Sequence, residues 1–320
     1  MRIVTAEEIS RLLAYPLLID ALGEAFRGGI TVPERHHHTL PQRGTAATLL
    51  IMPAWTDVEE GSDEGYLGCK LVAIFPDNAA REKPSLSGTY LLMSGTTGVP
   101  LAVMDAAALT AWRTGAASAL AARHLARADA ATLTMVGAGT LAPHLIRAHC
   151  AVRPIRRVLL WNRTRRRAIA TAFALGAAGI EVEVAENLET AVAEADVVSC
   201  ATLSTAPLIK GAWLKKGAHL DLVGAFTPKM RETDDTALKR ARIYVDTRAA
   251  LKESGDLAGP LRRKVITRES IRGDLAELCR GKAKGRRKAD EITLFKSVGT
   301  AIEDLVAAMV VWNAAGGAGA

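Results

Sequence analysis

Two textures of apolar and polar positions divide the chain. After Thr5-Ala6-Glu7-Glu8, which has the form of a helix capping box, Ile9, Leu12 and Leu13 fall at helical spacing and predict an early helix. Residues 17–26 predict a second one. Between residues 48 and 102 the apolar positions come instead in short runs, TLLIMPA, LGCKLVAIFP, SGTYLLMS and PLAVMD, broken by Gly, Pro, Asn and Asp. That is strand and turn patterning, and it predicts a mixed sheet. Residues 107–126, rich in Ala and Leu, read as a helix. From Thr132 strand and helix patterns alternate: TLTMVGAG, LAPHLIRAHC, RVLLWNR, residues 165–175, EVEVAE, a helix around Ala191, DVVSCAT, HLDLVGA and ARIYVDT. Alternation of this kind requires right-handed crossovers and a parallel sheet covered on both faces. Residues 292–315 read as a closing helix that returns to the first part of the chain.

The strand ending at Val136 runs into Gly137-Ala138-Gly139-Thr140-Leu141-Ala142, a G-x-G-x-x-A turn opening a helix. The first small residue permits the tight turn, the second lets backbone approach a pyrophosphate, and the third lets helix pack on strand. The helix N-terminus offers N–H groups and a positive dipole end to the phosphates. Strand before, helix after and strand beyond are all present, so the motif reads as a dinucleotide site. The next strand leads into Trp161-Asn162-Arg163-Thr164-Arg165-Arg166-Arg167, with no carboxylate to hold a ribose 2′-hydroxyl. A 2′-phosphate suits a guanidinium fork, so NADP(H) is expected in preference to NAD(H), which remains possible. The cofactor contacts expected here are Gly137, Gly139, Thr140, Leu141, Asn162, Arg163, Thr164 and Arg167.

Composition narrows the class without naming it. At 320 residues, 49% apolar and 23% charged, the chain has the size of two domains and the balance of a globular enzyme. No run of about 18 uncharged apolar residues is present to span a bilayer. Acidic residues in MRIVTAEEIS occupy the place of a signal peptide's apolar core, so no membrane association and a cytoplasmic location are expected. Cys69, Cys150, Cys200 and Cys279 lie far apart with no C-x-x-C pair, which argues against a zinc or disulfide framework and for reduced, mostly buried thiols. The net charge of +7 is concentrated in residues 163–167 and 280–288, and the second run, RGKAKGRRK, is expected to be a solvated loop. No recognition motif or interleaved aromatics accompany it, so nucleic-acid binding is not expected. His36-His37-His38 lacks a spaced carboxylate, and no metal site is expected there.

Several segments together resemble the ornithine cyclodeaminase and mu-crystallin family: Pro33-Glu34-Arg35, LLIMPAW, GCKLVAIFPDN, TTGVPLAVMDAAALTAWRTGAASALAARHLAR, VGAGT, WNRT, KESGD and LFKSVGTAIEDLVAA. The resemblance implies an α/β protein: a Rossmann-type parallel sheet domain at residues 118–291, and an N-terminal α+β dimerisation and substrate domain at 1–117, completed by the C-terminal helix within 292–320. It implies a homodimer acting on a small cyclic imino acid or amino acid. Carried over by position, substrate-carboxylate binding falls on Arg35, Lys70 and Arg113, with Lys70 and Arg113 catalytic, and Glu253 of KESGD is directed toward the substrate. Further cofactor contacts are implied at Ser85, Arg113, Thr114, Thr202, Leu203, Val223, Gly224, Lys296 and Ser297, while Asp304 is expected to be structural. Cyclodeaminases and the archaeal alanine dehydrogenases of the family carry an Asp in the loop LDLVGAFTPKMRE where this chain has Phe226. The wording VG-x-FTP-x-MRE instead resembles bacterial Δ1-pyrroline-2-carboxylate reductases. The resemblance therefore implies an NADPH-dependent ketimine reductase yielding L-proline, or L-pipecolate from the six-membered imine. Its rivals are an ornithine cyclodeaminase, an alanine-dehydrogenase-like enzyme and a non-catalytic small-molecule binder.

Overall fold

A computed structural model describes residues 1–42, 44–57, 65–83 and 86–317. The chain divides into two compact units, residues 1–113 with 300–320, and residues 114–299. The expected boundaries at 117 and 291 are thus displaced, the second because residues 292–299 stay with the parallel sheet. In the first unit the elements are β1 (Arg2–Val4), α1 (Ala6–Leu12), α2 (Tyr15–Arg27), β2 (Ile30–Thr31), β3 (His36–Leu40), β4 (Ala47–Thr56), β5 (Tyr66–Ile74), β6 (Leu86–Ser94) and β7 (Pro100–Asp105). α3 (Ala106–Leu125) follows and carries the chain into the second unit. There the elements are β8 (Thr132–Val136), α4 (Leu141–Val152), β9 (Arg157–Trp161), α5 (Arg165–Gly176), β10 (Glu183–Val184), α6 (Leu188–Glu194), β11 (Val197–Cys200), β12 (His219–Leu222), α7 (Asp235–Arg240), β13 (Ala241–Val245), α8 (Ala250–Glu253), α9 (Gly255–Arg262), β14 (Ile271–Asp274), α10 (Leu275–Cys279) and β15 (Ile292–Lys296). α11 (Ala301–Ala314) ends the first unit.

The first unit holds a mixed sheet in the order β1-β7-β6-β5-β4-β2, with β3 paired to β4. β1 runs parallel to β7 and the other pairs are antiparallel. Register aligns Met52, Lys70, Tyr90 and Met104 across β4, β5, β6 and β7, and all four are buried. Side chains alternate faces along a strand, so Lys70 stands among apolar neighbours on the covered face rather than in solvent. α11, apolar along most of its length, packs on α2, β4 and β5. Thr5 caps α1 by accepting from the Glu8 N–H, as the capping box predicts.

In the second unit eight parallel strands run in the order β10-β9-β8-β11-β12-β15-β13-β14. Strand order reverses between β8 and β11, the position where ligands of such sheets sit beyond the carboxyl ends of the strands. The expected helix over 292–315 is in fact β15 followed by α11. Ile292-Thr293-Leu294-Phe295-Lys296 is buried throughout between β12 and β13, and a short run buried on both faces carries no period that separates strand from helix.

RGKAKGRRK is likewise not simply solvated. The Arg286 guanidinium donates to the carbonyls of Leu125, Ala218 and Glu291 and to Thr293 Oγ1, while its own N–H bonds the His124 carbonyl. Arg153 donates to the carbonyls of Ala122, Arg123 and Ala126. Two cations thus donate to carbonyls at and just beyond the negative end of α3. Cys200 is buried, the other three cysteines are partly exposed, and none is in a disulfide. No helix among the described residues is long and apolar enough to cross a membrane.

Candidate functional site

The second unit gathers most of the expected cofactor residues at the carboxyl ends of β8, β11, β12 and β15. Gly137 has φ +107°, and a Cβ there would meet the Ala201 carbonyl oxygen at 2.5 Å, so only glycine fits between these two loops. Gly139 differs: nothing lies within 4 Å of the place its Cβ would take. Thr140, beside it, is exposed and makes no capping bond to α4, and Ala142 is buried where helix meets strand. An open backbone turn at a helix start fits the close approach of a pyrophosphate. Asn162 braces the turn, accepting from the Ala138 N–H at 3.2 Å and donating to the Thr164 carbonyl at 2.9 Å. Arg163, Thr164 and Arg167 are exposed, and neither arginine has an ion pair among the described residues, whereas Arg165 bonds Glu186.

Beyond β11 and β12, Thr202 and Gly224 meet. A Cβ on Gly224 would stand 2.0 Å from the Thr202 carbonyl oxygen and 2.5 Å from Glu232 Oε1. Leu203 and Phe226 are exposed beside them, and Val223 is buried. Ser297 is buried and donates its N–H to the Leu222 carbonyl. Lys296 is fully buried, its Nζ 3.6 Å from Asp256 Oδ2 and 3.9 Å from Glu232 Oε2. It stands on β15, a strand lying between β12 and β13 and buried throughout. Glu253, at the end of α8, is partly exposed. Ser85 lies outside the described residues.

The first unit brings Lys70 and Arg113 together on one acid, Asp304, whose expected role is structural. Lys70 Nζ lies 2.8 Å from Asp304 Oδ1 and 2.7 Å from Oδ2, and Arg113 Nε donates to Asp304 Oδ1 at 3.1 Å. Arg113 Nη1 donates to Glu303 Oε2 at 2.6 Å. All four side chains are buried. Burial pushes the Lys70 ammonium down to about 8, against the opposing pull of Asp304. Tyr90 lies over Gly68, where a Cβ would collide with its hydroxyl, and burial raises that phenol well above its ordinary value. Arg35 is partly exposed one residue before β3. Thr114, buried, begins the second unit. Glu303 is absent from the sequence expectations and Asp304 enters them only as structural, though adjacent acids in an otherwise apolar helix are a signal for a buried charge site.

Residues 1–318 match the model of the ornithine cyclodeaminase/mu-crystallin family. The chain belongs to this family. Among its relatives, Protein SAR DEFICIENT 4 of Arabidopsis thaliana is 42% identical over 316 residues, covering 96% of this chain and 95% of that protein. The Δ1-pyrroline-2-carboxylate reductase of Paracoccus denitrificans is 40% identical over 292 residues, 90% of each chain. Of solved structures, Thermococcus litoralis Δ1-pyrroline-2-carboxylate reductase in complex with NADH and L-proline superposes with TM-score 0.92 at 33% identity, covering 100% of this chain and 98% of that one. An archaeal alanine dehydrogenase dimer with bound NAD gives 0.88 at 32%, covering 99% of this chain and 96% of that one. The family's Rossmann-type architecture and the expected class of fold agree with the parallel sheet of the second unit and the mixed sheet of the first.

Proposed function

We propose that this member of the family is an NADPH-dependent ketimine reductase that converts Δ1-pyrroline-2-carboxylate to L-proline, and its six-membered homologue to L-pipecolate. The observation that carries the reading is the distribution of charge: two buried cations share Asp304 in the first unit, while the loop after β12 presents Phe226 where deaminating relatives carry an acid. Cations recognise a substrate carboxylate through charge-assisted hydrogen bonds. A phenyl ring in place of the acid has nothing to offer an amino group, but it suits the methylene edge of a cyclic imine. The names borne by the relatives in Paracoccus denitrificans and Thermococcus litoralis support the same chemistry.

Arg35, Lys70 and Arg113 are proposed to receive the substrate carboxylate, Lys70 and Arg113 being paired with Glu303 and Asp304 in the interior. Asp304 and Glu303 hold the two cations in fixed orientation, and Lys70 and Arg113 then direct the substrate's α-carbon by hydrogen bonds. Glu253 is proposed to face the ring nitrogen's side of the substrate. The reduced dinucleotide supplies hydride donation when bound. The turn at Gly137, Gly139, Thr140 and Leu141, with Asn162, Thr164, Thr202, Leu203, Val223, Gly224 and Ser297, would hold it, and Arg163 and Arg167 would take the 2′-phosphate. We further propose a homodimer, the state named for the archaeal alanine dehydrogenase; a light-scattering mass near twice 33.9 kDa is the expected result. The reaction is tested by NADPH oxidation with Δ1-pyrroline-2-carboxylate, beside ammonia release from ornithine as the competing activity.

A further inference from the structure

We infer that Glu232 is a positioning residue for the dinucleotide, a buried carboxylate that ties together the two loops, after β11 and after β12, proposed to contact it. The inference rests on the dinucleotide reading above. Glu232 Oε1 accepts from the Thr202 N–H at 2.7 Å and from Thr202 Oγ1 at 2.9 Å. Oε2 accepts from the Gly224 N–H at 2.7 Å and the Ala225 N–H at 3.2 Å. One oxygen therefore holds the loop after β11 and the other the loop after β12, and the glycine at 224 exists because the Thr202 backbone and this carboxylate leave no room for a Cβ. Four backbone and hydroxyl donors converging on one charged acceptor, fully out of solvent, fix two otherwise irregular segments against each other.

The carboxylate is itself held. Asp256 Oδ1 accepts from the N–H groups of Glu232 and Thr233 at 2.8 and 3.1 Å, and the Glu232 carbonyl accepts from Leu208 and Ile209. Asp256 belongs to KESGD, so the segment expected to approach substrate is anchored to the hub that positions the cofactor loops. The ionisable groups facing Glu232 are Lys296 from β15, Asp256 from α9 and the Cys200 thiol from β11. Burial pushes Glu232 up to about 7, with Lys296 opposing and Asp256 adding to the rise. The Cys200 thiol is raised well above its ordinary value and stays a protonated donor. Above neutrality the ionised hub accepts on both oxygens. Below it one oxygen carries a proton that meets the N–H donors, and the loops loosen.

The test is direct dinucleotide affinity, measured by nicotinamide fluorescence with NADPH on the full chain, for the parent and Glu232→Gln, from about pH 5.5 to about pH 8.5. The amide presents N–H groups to N–H donors and mimics the protonated hub at every pH. Titration of the ligand's own phosphate cancels in the ratio of the two dissociation constants. That ratio is expected to be about tenfold or more at the alkaline end and to approach one at the acidic end. A ratio that stays near one, or one that is large but independent of pH, would overturn the inference. Failure of the parent to bind NADPH would instead sink the dinucleotide reading on which it rests. Asp256→Asn keeps the backbone bonds at Oδ1 and removes a charge that raises Glu232, so it should move the affinity midpoint to lower pH. Should Glu232→Gln not fold, an unmoved midpoint in Asp256→Asn refutes the inference alone.

Discussion

Replacing Asp304 by Asn separates what the acid does for the fold from what it does for the site. Asp304 is fully buried and contacts Lys70 through both oxygens and Arg113 through one. Removing its charge leaves two cations with only Glu303 between them in an interior position, and breaking a buried pair of this kind costs about 3–5 kcal/mol. A fall in melting temperature of about 5 °C or more is the expected readout. Function should suffer through a second route. Asp304 is what holds the Lys70 ammonium as high as about 8 against burial, so without it Lys70 is driven lower still and loses its proton near neutrality. Loss of one charge-assisted bond to the substrate carboxylate, about 1.5–3 kcal/mol, should raise the KM for Δ1-pyrroline-2-carboxylate about tenfold to a hundredfold at pH 7. The double change Lys70→Met with Asp304→Leu should recover the melting temperature while leaving activity lost, since apolar residues replace a buried pair at little cost. Steady-state kinetics and thermal denaturation on the three proteins decide the matter. If Asp304→Asn melts with the parent and keeps its KM within twofold, the paired-cation account is wrong.

Two further outcomes follow from the same geometry. Because burial lowers Lys70 to about 8, it is a cation below that pH and neutral above it, so kcat/KM for the imine should be steady through neutrality and fall as pH rises past about 8; a plateau to pH 10 would remove Lys70 from substrate binding. Changing Arg163 and Arg167 together to Ala should weaken NADPH about tenfold or more and leave NADH nearly unaffected, read from KM values, and equal use of both cofactors by the parent would contradict the 2′-phosphate assignment.

What the sequence revealed and what it withheld divide along contact distance. The G-x-G-x-x-A turn was legible because its demands are local: a φ of +107° at Gly137 and open space at Gly139 constrain residue type at the position itself. The mixed and parallel sheets were legible from two different periodicities. By contrast, Asp304 meets Lys70 across 234 positions of chain, and Glu232 meets Thr202 across 30, so nothing in either neighbourhood announces the partner. The partners of these acids became visible only when strand order brought β11, β12 and β15 together, and when α11 covered β5. The resemblance marked Lys296 as an important position without saying that β15 is interior. Arg286 stood in a run that looked solvated, yet its guanidinium is spent on carbonyls at the end of α3, a use that one-dimensional charge patterning does not register.

The most direct test of the central claim is a single comparison on the purified parent protein: the rate of NADPH oxidation with Δ1-pyrroline-2-carboxylate against the rate of NAD-dependent ammonia release from L-ornithine. With buried cations for a carboxylate and Phe226 in place of an acid, the account predicts rapid NADPH-dependent formation of L-proline and negligible ammonia. Ammonia release from ornithine faster than imine reduction would contradict it and return the chain to the deaminating branch of its family.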